Sequence, residues 1–141
     1  MARLTIDELL EEARSGLQRL SPEDASEAMR SGATLIDIRS DSQIAADGEA
    51  QGALRIARNV LEWRLDPASG HSHPDAPELD ELVIVMCNEG YQSSLAAATL
   101  QRLGFASATD LDGGFQAWRE SGLAVIEPGY GAAAPTSSTA D

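Results

Sequence analysis

The sequence is poor in the residues that most often build disulfides and metal sites. Its only cysteine is Cys87, so neither an internal disulfide nor a multi-cysteine zinc site can form. The only histidines, His71 and His73, flank a serine in a proline-rich loop and have no cysteine or carboxylate cage beside them. We therefore assign no metal, and the question becomes whether Cys87 is a buried filler or a nucleophile.

Positive charge is also scarce, with 10 basic residues against 23 acidic ones and a net charge of −13. This charge repels phosphate backbones and anionic lipids, so we expect neither a nucleic acid nor a membrane as partner. No apolar run approaches the ~20 residues that span a bilayer, and the first residues lack the apolar core of a signal peptide. These absences predict a cytoplasmic protein.

Aromatic residues make up only 4% of the chain, so the core must come from leucine, isoleucine, valine and alanine. A length of 141 residues suits one domain. Residues 39–52 are expected to form a loop with room for one helical turn. Apolar periodicity and capping residues predict helices over 4–20, 22–30, 60–65, 93–103 and 115–120, and strands over 33–38, 53–56, 82–86 and 106–111. Gly16 weakens the first helix, so residues 4–20 could instead form two shorter segments.

Strands that alternate with helices predict an α/β domain with a parallel sheet and helices on both faces. Residues 82–86 are continuously apolar and rich in β-branched side chains, which is typical of a strand covered on both faces. Ligands bind such sheets beyond the carboxyl ends of the strands. Cys87 directly follows this strand, so it is expected at the mouth of a site.

The loop from Cys87 to Ser93 joins this strand to an alanine-rich helix. Backbone N–H groups and the partial positive charge of the helix N-terminus can stabilise a thiolate or hold an anion there. Gly90 permits a backbone conformation that a β-carbon would block. We expect Ser93 or Ser94 to cap the helix and to hydrogen-bond to the sulfur. This spacing favours a nucleophilic cysteine over a structural one.

Four segments together resemble the single-domain rhodanese-like (sulfurtransferase homology) family. Residues 87–93 read Cys-Asn-Glu-Gly-Tyr-Gln-Ser, close to the family loop Cys-x-x-Gly-x-Arg-Ser. Residues 37–39 read Asp-Ile-Arg and match the family's Asp-x-Arg, whereas residues 48–53 follow its Gly-His-Ile-x-Gly-Ala pattern only in part. Residues 111–125 match Leu-x-Gly-Gly-x-x-Ala-Trp-x-x-x-Gly-Leu-x-Val at every specified position.

The resemblance implies a three-layer α/β fold with a central, mainly parallel five-stranded sheet over residues 20–127. Residues 1–19 would be a helical extension and residues 128–141 a disordered tail. It also implies that Cys87 accepts a sulfane sulfur as a persulfide and passes it to a thiol or cyanide without a cofactor. The implied substrate-binding loop is Asn88, Glu89, Gly90, Tyr91, Gln92 and Ser93, and the implied pocket rim includes Asp37, Arg39 and Arg58.

The loop departs from the family at two positions that bear on the donor. Gln92 occupies the arginine position, which removes a bidentate anion clamp, and Glu89 adds a carboxylate that repels dianions. We therefore predict weak activity with thiosulfate. A neutral donor, or a protein-bound persulfide such as that of a cysteine desulfurase, suits this loop better.

Two alternatives follow from the same departures, and one related activity is disfavoured. The domain could be a non-catalytic rhodanese-like module that binds or regulates a partner, or Cys87 could be a thiol redox sensor. Cysteine phosphatases share this topology but need Cys-x5-Arg, and Ser93 stands at that arginine position. Phosphatase activity is therefore not predicted.

Overall fold

The computed structural model describes residues 2–128, and a parallel sheet lies at its centre. The sheet has the order β3-β1-β4-β5, and Leu20 extends it by one parallel bridge to Leu111 beyond the β5 edge. A separate antiparallel pair joins β2 to β6. The strands are β1 (Thr34–Asp37), β2 (Glu49–Ala50), β3 (Leu54–Arg55), β4 (Val83–Met86), β5 (Thr109–Asp110) and β6 (Val125–Ile126).

Six α-helices surround the sheet in the described part of the chain. They are α1 (Ile6–Arg14), α2 (Pro22–Arg30), α3 (Asp41–Asp47), α4 (Leu61–Leu65, preceded by a 3-10 turn at Arg58–Val60), α5 (Gln92–Arg102) and α6 (Gly114–Glu120). None of the helices in residues 2–128 is long and apolar enough to cross a membrane.

The core has two layers, one on each face of the sheet. Successive side chains of a strand point to opposite faces, so Val83 and Val85 pack with α4 and α5, whereas Ile84 and Met86 pack with α2 and α6. All four of these side chains are fully buried. The predicted three-layer α/β fold with helices on both faces is confirmed.

The sheet has fewer strands than the five expected, although its strands are parallel as predicted. Four strands form it within residues 2–128, and the fifth position holds only the single bridge at Leu20. The predicted strand over 106–111 is regular only at Thr109–Asp110. The short β2–β6 pair was not predicted from the sequence.

Two helical predictions near the N-terminal half need correction. The helix predicted over 4–20 ends at Arg14, and the chain then turns to reach the bridge at Leu20. The loop predicted over 39–52 contains α3, because Ser40 and Gln43 form a capping box at its start. The disordered tail predicted from residue 128 lies outside the described residues from position 129 onward.

Helix α1 packs against α5 rather than against the sheet. None of its residues is buried, and Thr5 and Glu8 form a capping box at its start. Because α5 begins beside the cysteine loop, this packing brings the last turn of α1 close to the loop.

Candidate active site

The loop from Cys87 to Ser93 connects the carboxyl end of β4 to the start of α5. The Cys87 side chain is nearly buried, with 6% of the residue exposed. Its Sγ accepts the backbone N–H of Gly90 at 3.2 Å and of Ser93 at 3.3 Å. The sulfur therefore lies inside a turn of backbone N–H donors, an arrangement that favours negative charge.

Two glycines allow the loop and α6 to approach each other closely. Gly90 has φ +92°, and a Cβ there would lie 2.8 Å from the backbone N of Gly113. Gly114 has φ +62°, and its Cβ would lie 2.5 Å from the carbonyl O of Cys87. Both positions exclude a side chain by conformation and by space. Gly114 of the C-terminal motif thus makes room for the backbone of the cysteine loop.

The start of α6 holds the loop backbone directly. The N–H of Phe115 donates to the carbonyl of Cys87 at 2.9 Å, and the N–H of Gln116 donates to the carbonyl of Asn88 at 3.1 Å. The side-chain amide of Gln116 also donates to Oδ1 of Asn88 at 3.1 Å. These bonds fix the first half of the loop against the domain.

Asp110 holds the second half of the loop through hydrogen bonds. This carboxylate is fully buried at the end of β5. Its Oδ2 accepts the hydroxyls of Ser93 and Ser94, each at 2.7 Å. Our expectation that a serine hydroxyl caps α5 and bonds to the sulfur is therefore wrong. The hydroxyls bind Asp110, and only the backbone N–H of Ser93 reaches the sulfur.

Two arginines that the sequence did not single out complete this network. Arg19 Nε donates to Oδ1 of Asp110 at 2.9 Å, and Arg19 Nη2 donates to the carbonyl of Gly90 at 2.9 Å. Arg14, in the last turn of α1, donates through Nη2 to the same carbonyl at 2.7 Å. Its Nε donates to the hydroxyl of Ser94 at 3.0 Å.

The pKa of Arg19 depends on its burial and on its charged neighbours. Burial lowers the pKa of Arg19, but its hydrogen bond and ion pair with Asp110 outweigh burial and leave the pKa above its ordinary value. The negative charge of Asp112 acts in the same direction. Arg19 is therefore a permanent cation close to the sulfur site.

The three residues expected at the pocket rim each form an ion pair within the domain. Asp37 and Arg39 form a buried ion pair with Nη2 and Oδ2 2.9 Å apart, and the Arg39 guanidinium carbon lies 3.8 Å from the centre of the Phe115 ring. Arg58 pairs with Glu62 at 3.0 Å. Within residues 2–128 none of the three side chains expected at the rim hydrogen-bonds with the loop 88–93. Asp37 and Arg39 bond to each other in the interior, and the role of the three residues at the rim stays a prediction.

The outer face of the loop is neutral to acidic. Glu89, Tyr91 and Gln92 are exposed, and Tyr91 has 62% of its surface accessible. No group of three histidine, cysteine or acidic side chains within residues 2–128 is arranged to hold a metal ion. The exposed side chains of the loop therefore include the Glu89 carboxylate but no arginine.

Some of these site residues carried a usable sequence signal and others did not. Asp110 ends a parallel strand, so the rule that pointed to Cys87 also applied to it. Ser94 lay within the predicted helix start. Arg14 and Arg19 carried no signal, because their role depends on how α1 packs against α5.

A family comparison agrees with this fold. The model of the rhodanese-like domain matches residues 21–121, and the chain therefore belongs to the rhodanese-like family. The thiosulfate sulfurtransferase GlpE of Stutzerimonas stutzeri is 36% identical over 113 residues, covering 78% of this chain and 92% of that protein. GlpE of Ectopseudomonas mendocina is 38% identical over 105 residues, covering 74% and 87%. These relatives support a rhodanese-type sulfurtransferase.

Two solved structures are similar over most of the chain. A Rhodopseudomonas palustris protein of unknown function, described as a possible tyrosine phosphatase, has a TM-score of 0.80 at 32% identity and covers 89% of this chain and 97% of its own. The homodimeric polysulfide-sulfur transferase of Wolinella succinogenes has a TM-score of 0.68 at 27% identity and covers 84% of each chain. This chain has no arginine at the phosphatase position, which is Ser93.

Proposed function

We propose that the protein is a sulfurtransferase that carries a sulfane sulfur as a persulfide on Cys87. The observation that carries the proposal is the cysteine Sγ at the end of β4, within 3.3 Å of the backbone N–H groups of Gly90 and Ser93. Donors in this position stabilise a thiolate before the reaction and the terminal sulfur anion after it. Membership of the rhodanese-like family supports the same reading.

The reaction has two steps, and each conserves charge. The Cys87 thiolate attacks the outer sulfur of a donor, the sulfur–sulfur bond of the donor breaks, and its electron pair leaves with the remainder. With thiosulfate the products are the Cys87 persulfide anion and sulfite. A thiol or cyanide nucleophile then attacks the terminal sulfur, and the electron pair of that bond returns to Cys87 as the thiolate.

A donor with less negative charge than thiosulfate fits the exposed face of the loop better. Glu89 and Gln92 are both exposed, so a dianion would approach a carboxylate and would find no guanidinium at position 92. A protein-bound persulfide, such as that of a cysteine desulfurase, is a donor of the favoured kind. Because these relatives are named thiosulfate sulfurtransferases, thiosulfate is the donor with which other donors must be compared.

The persulfide itself can be tested by mass spectrometry of the intact protein. The protein is incubated separately with thiosulfate, an alkyl thiosulfonate and a persulfidated cysteine desulfurase. We expect a gain of one sulfur atom on Cys87 that a thiol reductant removes. If none of the three donors gives this gain, the sulfurtransferase assignment is wrong and a non-catalytic or redox role of Cys87 takes its place.

Replacing Gln92 with arginine is expected to raise kcat/KM for thiosulfate about tenfold, because a guanidinium at the first residue of α5 can bind the sulfonate oxygens in a bidentate manner. The gain should be smaller with an alkyl thiosulfonate, which transfers the same sulfur but has one negative charge fewer. Initial rates of thiocyanate formation measure both values.

The matched control is Gln51→Arg, which makes the same change at an exposed residue in the turn after β2. It should leave both rates unchanged. Equal turnover of thiosulfate by the original protein and by Gln92→Arg would show that position 92 does not limit the use of this donor.

A further inference from the structure

Two arginines from the N-terminal segment meet at one carbonyl of the cysteine loop. Nη2 of Arg14 lies 2.7 Å from the carbonyl O of Gly90, and Nη2 of Arg19 lies 2.9 Å from it. Both residues precede position 21, where the match to the rhodanese-like family begins. This chain therefore brings two cations to its loop from outside the matched domain.

The position of this carbonyl determines where the next N–H group points. A trans peptide is planar, and its C=O and N–H bonds point in opposite directions. With the Gly90 carbonyl held by the arginines, the N–H of Tyr91 points away from them. The N–H groups of Gly90 and Ser93, before and after it in the loop, both donate to Sγ of Cys87. Within residues 2–128 the Tyr91 N–H donates no hydrogen bond.

The two cations also change the strength of that donor. Hydrogen bonds from charged groups to a carbonyl polarise the peptide, which makes its N–H a better donor to an anion. Arg19 is fixed in place by Asp110, to which it donates from Nε and Nη2 at 2.9 and 3.2 Å. Arg14 is held by the hydroxyl of Ser94, and its guanidinium carbon lies 5.7 Å from the centre of the Tyr91 ring.

We propose that Arg14 and Arg19 are positioning residues for sulfur transfer. They hold the Gly90–Tyr91 peptide with its N–H turned away from them and free to bind the terminal sulfur anion of the persulfide, which they stabilise through this peptide. The N-terminal segment thus supplies positive charge at the Gly90 carbonyl, whereas Gln92 supplies none within the loop. This role rests on the proposed function, because the arginines act on the Cys87 persulfide. Every donor forms the same persulfide, so the role does not depend on the donor.

The test uses Arg14, because Arg19 also pairs with the buried Asp110 and its loss would disturb the fold. Helix α1 has no buried residue, so Arg14→Gln is expected to leave the domain folded. Persulfide formation is followed by mass spectrometry with thiosulfate and with an alkyl thiosulfonate. In parallel, the amide proton shift of Tyr91 is measured by NMR in protein that has met no donor.

Arg14→Gln should slow sulfur uptake about fivefold with both donors and move the Tyr91 amide proton upfield, because the peptide loses one of two cationic donors. Arg14→Lys should recover most of both effects. The charge-matched control is Arg30→Gln, which removes an exposed arginine paired with Glu27 at the end of α2 and should change neither measurement.

The outcomes separate the two proposals. If the original protein gains no sulfur from any donor, the proposed function fails, and the Tyr91 amide shift alone decides whether the arginines act on this peptide. If Arg14→Gln leaves the amide shift and the uptake rates unchanged, the positioning role is wrong while the sulfurtransferase function stands. A loss with thiosulfate alone would make Arg14 a donor-binding residue and would also overturn the positioning role.

Discussion

Replacing Cys87 with serine is expected to abolish sulfur transfer, with a fall of at least about a thousandfold in kcat/KM. A hydroxyl at this position can still accept the two backbone N–H groups, but it is not ionised near neutral pH and attacks sulfane sulfur poorly. Thiocyanate formation with the most active donor measures the loss, and mass spectrometry should find no added sulfur on the variant.

Thermal unfolding provides the control for this prediction. Serine is close in size to cysteine, and Sγ of Cys87 already accepts two hydrogen bonds, so the melting temperature should change by only a few degrees. Transfer that survives in a folded Cys87→Ser protein would contradict the assignment of the persulfide to this residue. Binding of a partner that survives while transfer is lost would show that the domain also works as a docking module.

The layers of the fold could be predicted because their signals are local. The run Val83–Met86 is apolar throughout, and all four residues are buried between helices on the two faces. Ser21 and Pro22 marked the start of α2, which begins and ends where the capping residues predict. The β2–β6 pair could not be predicted in this way, because two-residue strands carry almost no periodicity.

The candidate site could be predicted only where it depends on the loop itself. The strand–loop–helix pattern around Cys87 predicts that backbone N–H groups of the loop surround the sulfur, but not which of them reach it. It does not predict that Asp110 takes the serine hydroxyls, because that contact joins α5 to a strand end 16 and 17 residues further along the chain. The two arginines are more remote still, since Arg14 lies 76 residues from the Gly90 carbonyl that it binds.

Arg39 shows that the position of a residue can be predicted from the sequence when the direction of its side chain cannot. It follows β1 and so lies at the expected end of the sheet, yet its guanidinium packs on Phe115 and pairs with Asp37. A parallel strand order places a residue near the site, but the ion pair decides where its side chain points. Charged residues at strand ends therefore need their partners identified before a role in binding is assigned.

Asp110→Asn is expected to be the most destabilising of the conservative changes at this site. Asp110 is fully buried and accepts hydrogen bonds from Ser93, Ser94 and Arg19. An amide can still accept the hydroxyls, but it removes the buried countercharge of Arg19 and leaves only the exposed Asp112 carboxylate beside the guanidinium. Breaking such a pair costs about 3 kcal/mol, which corresponds to a fall of roughly 10 °C in melting temperature for a domain of this size.

The matched control is Asp112→Asn, because Asp112 pairs with the same arginine, with Oδ1 3.2 Å from Nη1 of Arg19. The two carboxylates differ in burial, since the Asp112 side chain is 68% exposed and that of Asp110 is inaccessible. An exposed pair contributes at most about 1 kcal/mol, so the control should melt within a few degrees of the original protein. Equal shifts for the two variants would mean that burial of the pair does not determine its contribution.

The same pair of variants tests whether Asp110 also matters for transfer. Asp110 is a charged acceptor that the hydroxyls of Ser93 and Ser94 share with the guanidinium of Arg19. Asp110→Asn removes its charge, so the start of α5 loses the buried carboxylate that anchors it. Because the Ser93 N–H that reaches Cys87 belongs to this turn, sulfur uptake well below the melting temperature should fall about tenfold. Asp112→Asn keeps the anchor intact, so uptake by that variant should match the original protein. A folded Asp110→Asn variant with unchanged uptake would mean that the loop keeps its geometry without the buried carboxylate.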